Sequence, residues 1–178
     1  PGASYLVAQH LTGGNDTPAF RFMSHTLPPV ETGLAKVLIT HIYLGYTYHP
    51  QVEGAIEYLN YQESGILLSF PWPEAFSTTQ PVVYQNGRVF ASPRFLRVIA
   101  DNSTSNWETG YLLALQADDF FPPGGAENDH PDFSAQGSPV QFGFMRTNTR
   151  SATLPPVPAT QNLIIDQGVD DWRVTIYR

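Results

Sequence analysis

Val82-Val83-Tyr84-Gln85-Asn86-Gly87-Arg88-Val89-Phe90 is the stretch from which the fold can be read. A two-residue type I′ turn needs positive φ at both central positions, and Asn-Gly adopts that geometry at little cost. The apolar-rich arms are therefore strands paired antiparallel. The turn also sets the register: Gln85 opposite Arg88, Tyr84 opposite Val89, Val83 opposite Phe90.

The flanking chain has the same two-residue period. Ala19 to Leu27 puts Phe20 and Phe22 on one face and Arg21, Met23 and His25 on the other. From Lys36 to His49, Leu38, Ile42, Leu44, Tyr46 and Tyr48 share one parity, while Val37, Ile39, His41 and Tyr43 share the other. Two apolar parities predict a central strand covered on both faces. Further strands are expected at Gly54 to Gln62, Ile66 to Phe70, Phe95 to Ala100, Trp107 to Leu115, Val140 to Arg146, Asn162 to Ile165 and Val169 to Tyr177. Trp172, Val174 and Ile176 read as inward, and both Trp107 and Trp172 read as core. Ala117 to Phe121 suits a single helical turn. About ten short strands, with almost no helix, predict one all-β domain over residues 1–178, an antiparallel β-sandwich. Two long polar stretches, Asp118 to Ser138 and Thr147 to Gln161, are candidates for functional loops.

Composition narrows the function. The 178 residues include 16 prolines and 14 glycines without collagen-like period, and no cysteine. Disulfides, thiolate metal sites and cysteine nucleophiles are thereby excluded. Nine Lys and Arg against 16 Asp and Glu give a net charge of −7, which disfavours a nucleic-acid groove or polybasic membrane patch. No apolar run approaches the ~20 residues of a membrane-spanning helix. The initial Pro1 suggests a processed product. Scarce lysine with abundant Tyr, Thr, Asn and Gly suggests a secreted bacterial surface domain whose signal peptide has been removed.

Several stretches resemble jelly-roll modules of bacterial secreted and surface proteins, similar to carbohydrate-binding modules and laminin-G or concanavalin-like sandwiches. They are Phe20 to Leu27, Trp107, Ala117-Asp118-Asp119-Phe120, His130-Pro131-Asp132-Phe133-Ser134, Gly137 to Phe144, and Ile165 to Thr175 with its Asp170-Asp171 pair. The resemblance implies a jelly roll more firmly than any ligand. By the same analogy a structural calcium ion is a candidate, the alternative being that these acids cap turns and keep the loops soluble. Asp170, Asp132 and Asp129 are the candidate ligands, since Ca²⁺ takes six to eight oxygens, although no EF-hand spacing is present.

Candidate ligand-binding residues follow from side-chain chemistry. Aromatic rings stack on sugar C–H faces, while Arg and His donate to hydroxyls. Arg21, His25, His41 and Tyr43 are expected to share a sheet face. Trp72, between Pro71 and Pro73, is a candidate displayed ring, with Tyr84 and Tyr48 as secondary candidates. Each also has a packing role open to it, because buried polar groups usually find structural partners. Glu57 and Glu63 lack the close acidic spacing of sandwich glucanases, and no Gly-x-Ser-x-Gly elbow, phosphate loop or zinc motif occurs. The expectation is a non-catalytic extracellular module that binds carbohydrate, as a polysaccharide or surface glycan, or another cell-surface ligand. The alternative is a structural subunit contacting neighbouring protein subunits in a surface assembly, through an N-terminal arm or added strand and the proline-rich segment at 154–158.

Overall fold

The computed structural model describes residues 3–69, 76–98, 106–152 and 161–178. Among them ten strands carry the fold: β1 Ser4–His10, β2 Phe20–Leu27, β3 Leu34–Ile42, β4 Tyr58–Ser69, β5 Phe76–Gln85, β6 Arg88–Ala91, β7 Leu96–Val98, β8 Glu108–Leu115, β9 Val140–Ser151 and β10 Leu163–Tyr177. One sheet has the order β1-β2-β10-β4-β8, the other β3-β9-β5-β6, with β7 also paired to β5. All of these pairings are antiparallel. Strands β2 to β5 alternate between the sheets. β9 then inserts between β3 and β5, and β10 between β2 and β4. Two Greek keys interleaved in this way make a jelly roll.

The hairpin has the register expected of its turn, with Asn86 at φ 53° and Gly87 at φ 76°. Residues Ala117–Asp119 form the expected helical turn, of 3₁₀ type. The long loop after it is pinned from the hairpin. The buried Gln85 amide donates to the carbonyls of Asp132 (2.9 Å) and Ser138 (2.7 Å), and its oxygen accepts from the Asp132 N–H at 2.7 Å.

Other expectations are corrected. β3 ends at Ile42 and pairs with β9 alone, so it is an edge strand. Its Leu34 and Leu38 are exposed rather than covered. The segments expected at Gly54 to Gln62 and Ile66 to Phe70 are one twelve-residue strand, β4, preceded by a short helix, α1 Pro50–Glu53. Likewise Asn162 to Ile165 and Val169 to Tyr177 belong to one strand, β10. β1 was not expected, because its seven residues are mostly exposed on both faces and show no burial alternation. The segment at 154–158 lies outside the described residues, apart from which β9 already occupies 147–151.

The interior is divided. One apolar cluster holds Met23, Leu59, Tyr61, Phe142, Phe144 and Val169; another holds Leu27, Val37, Leu67, Leu163 and Ile165. Along β2, His25 falls between Met23 and Leu27; along β4, Glu63 falls between Tyr61 and Leu67; along β10, Gln167 falls between Ile165 and Val169. These polar side chains form a layer with Arg146 and Asn148 of β9, all of them buried. Arg146 Nη2 donates to Glu63 Oε1 at 3.3 Å, and the Tyr61 hydroxyl donates to Glu63 Oε2 at 2.6 Å. Gln167 accepts from Ser77 at 2.6 Å, and the Asn148 amide donates to His25 Nδ1 at 3.0 Å.

Removing one member of a buried ion pair leaves the other charge uncompensated, at a cost of about 3–5 kcal/mol. Glu63→Ala is therefore expected to lower unfolding stability by about that amount. The double variant Glu63→Leu, Arg146→Met is expected to lose much less. Urea unfolding of the two variants checks both outcomes.

Candidate functional site

The site begins with a bulge. In β10 the register passes from Asp170 opposite Ser64 to Arg173 opposite Gln62, so β10 carries one extra residue at this point. Such a bulge switches the parity of the strand. Ahead of it Ile165, Gln167 and Val169 face the interior; beyond it Trp172, Val174 and Ile176 do. Asp171 takes φ 48° there. Its carboxylate accepts from Asn15 Nδ2 (2.8 Å) and Ser64 Oγ (3.0 Å), while its N–H donates to Asp170 Oδ1 at 2.9 Å.

The bulge sets Trp172 beside the end of β3. Arg21, His41, Tyr43, Gly143, Phe144 and Trp172 line a pocket of about 230 Å³ at the edge where the two sheets meet. The Tyr43 and Trp172 rings lie 5.9 Å apart at 50°, and Tyr43 is 54% exposed. His41 stacks on Phe144 at 4.6 Å. Gly143 is required by close approach, since a Cβ there would lie 1.9 Å from the His41 carbonyl oxygen.

The polar side of the pocket has a defined protonation state. Arg21 Nη1 lies 2.8 Å from His41 Nδ1. A guanidinium can only donate, so Nδ1 accepts and neutral His41 carries its proton on Nε2. Burial, then the positive charges of Arg21 and Arg146 and the neighbouring His25, lower the His41 pKa to about 4. Burial, followed by Arg146, also lowers His25 to about 4.

Of the expected ligand-binding residues, the pocket brings together Arg21, His41 and Tyr43. His25 does not share an exposed face with them: it is 0% exposed, on the inner face of the opposite sheet from His41. The face of β2 that carries Arg21, Met23 and His25 is the core-facing one, and burial of Met23, His25 and Leu27 decides this. Tyr84 is half-buried on β5, away from the pocket. Tyr48 is core, its hydroxyl donating to the Gly54 carbonyl at 2.9 Å. Trp72 lies outside the described residues. Trp172, assigned to the core from alternation, packs on the core and also walls the pocket. Its inward parity was legible; that the interior opens to solvent at that point was not. Trp107 is half-buried, donating from its indole to the Gly13 carbonyl at 3.0 Å.

The three acids considered for calcium have other partners. Asp129 pairs with Arg88, Asp132 accepts from the Ser134 N–H at 2.9 Å, and Asp170 accepts from Asn15 and Asp171 N–H groups. Among the described residues no group of three or more His, Asp or Glu is arranged to hold a metal. Glu63 and Glu108 line a void of about 10 Å³, too small for a sugar between two carboxylates. Among the described residues no carboxylate lines the 230 Å³ pocket.

No family model matches the sequence, and no curated protein matches it. Among solved structures, one described as the structural basis for the promiscuous specificity of carbohydrate-binding modules from the β-sandwich superfamily is similar at 10% identity and a TM-score of 0.46, over 98% of this chain and 54% of that one. A second, described as a structural analysis of an exo-β-agarase, is similar at 8% identity and a TM-score of 0.43, over 100% of this chain and 23% of that one. The chain spans about half the length of the first and under a quarter of the second.

The two depressed histidines make stability depend on pH. Between the unfolded value of 6.5 and the folded value of about 4, the unfolded chain binds protons that the folded chain refuses. Stability is thus expected to fall as pH drops through that window, and this contribution flattens below it. His25→Gln is expected to reduce the slope, as read from urea midpoints at successive pH values.

Proposed function

We propose that the protein is a non-catalytic extracellular module that binds carbohydrate in the pocket walled by Tyr43 and Trp172. The observation that carries this reading is the meeting of two aromatic rings with Arg21 and His41 in one open pocket of about 230 Å³. Tilted rings offer apolar faces to the C–H groups of a pyranose, and the guanidinium supplies donors for its oxygens. His41, neutral at pH 7 with its Nδ1 occupied by Arg21, orients that guanidinium.

A glycan array is the test. Retention on at least one polysaccharide is expected, and Tyr43→Ala is expected to weaken it by several-fold to about tenfold, the worth of one stacked ring. Failure to bind any polymer would overturn the reading.

One feature favours the alternative of an assembly subunit. β1 is an edge strand whose seven residues carry no Asp, Glu, Lys or Arg, and Tyr5 and Leu6 are exposed. Uncharged edges can add a strand from another chain. Light scattering separates the two readings: a monomer is expected of a binding module, and an ordered oligomer would favour assembly.

A further inference from the structure

The pocket does not end at Arg21. A second pocket, of about 480 Å³, is lined by Val7, Gln9, Phe20, Arg21, Val169 and Asp170. Arg21 and Val169 line both, so the two cavities meet along a shared wall. That wall carries an exposed cation whose hydrogen-bond partner is a histidine. Arg146 is paired with Glu63 and Arg88 with Asp129, whereas Arg94 and Arg178 donate to backbone carbonyls. Arg21 instead has the neutral His41 imidazole as its hydrogen-bond partner and, among the described residues, no carboxylate. His41 uses one guanidinium nitrogen, which leaves further N–H donors of a planar fork suited to a carboxylate or sulfate.

We infer that the site reads an acidic sugar: a carboxylate or sulfate ester binds Arg21 in the Tyr43–Trp172 pocket, and the adjoining sugar continues across Arg21 into the second pocket. This deepens the carbohydrate-binding reading and rests on it. The placement of charge follows from the walls. Among the described residues the first pocket is lined by a cation and no acid. In the second pocket Asp170 would repel an anion, while it and Gln9 suit hydroxyl groups. The protein as a whole carries −7, so its distant field opposes an anionic polymer. At 0.15 M salt that field is screened beyond about 8 Å, and the contact at Arg21 survives.

Calorimetry at pH 7 and 0.15 M salt tests this with two acidic hexasaccharides, each beside its own neutral counterpart. Alginate is compared with carboxyl-reduced alginate, and κ-carrageenan with its desulfated form. At least one acidic form is expected to bind about tenfold or more tightly than its counterpart, as for a charge-assisted fork. The arm that responds distinguishes carboxylate from sulfate. In Arg21→Gln the acidic-to-neutral ratio is expected to fall close to one, and in Arg21→Lys to fall only partly. A near-ultraviolet spectrum matching the parent shows that each variant is folded. Binding of acidic and neutral forms with equal affinity would overturn the inference and leave the carbohydrate reading standing. Binding of none of the four would also overturn the inference, and retention on the glycan array then decides the broader reading separately.

Discussion

The ion pair between Arg146 and Glu63 is the constraint around which this sandwich is organised. It joins β9 of one sheet to β4 of the other, with side-chain exposures of 0% and 2%. A charge so far from water persists only with its partner and hydrogen bonds in place. Tyr61 supplies one of those bonds, and burial beside Glu63 holds the Tyr61 hydroxyl protonated well above its ordinary range. Arg146 Nε and Nη1 have no hydrogen-bond partner among the described residues, and Glu63 is the carboxylate that faces the cation. The two sheets are thereby held in one relative register, because a shift of either would separate the charges.

The polar layer also reaches the surface. His25 and His41 face the same interior from opposite sheets, and burial, with the positive charge of Arg146 added, depresses both. His41 is the link outward, since its Nδ1 accepts from Arg21 at the pocket mouth. The orientation of an exposed guanidinium is therefore set by a ring stacked on Phe144 and anchored in the core. The bulge at Asp171 supplies the other wall. One extra residue in β10 turns Trp172 inward at the edge of the sandwich, and Asn15 and Ser64 hold the acid that makes the turn possible. Arg21, His41 and Trp172 sit on strands, and Tyr43 follows directly on the end of β3.

Period-two alternation carried much of this in the linear chain. It puts Trp172, Val174 and Ile176 inward, as the structure has them. It failed where burial and polarity part company. Glu63-Ser64-Gly65 looked like a gap between strands because a glutamate inside a core is unexpected until Arg146 is seen across from it. Leu38 looked covered because it is apolar, yet β3 lies at a sheet edge and its outer face meets solvent. Arg21, His25, His41 and Tyr43 share one ligand chemistry in the sequence, yet His25 is interior.

By itself the sequence determined the local elements. The Asn86-Gly87 turn, its register and the all-β class follow from backbone preferences and side-chain alternation, which act over a few residues. Tertiary structure alone decided which strands are edges, that β10 bridges two parities through a bulge, and that Tyr43 and Trp172, 129 positions apart by their numbers, share a pocket. Alternation tells which face a side chain takes but not how deep that face lies. Depth depends on the order of strands in the sheets, which long-range pairing sets.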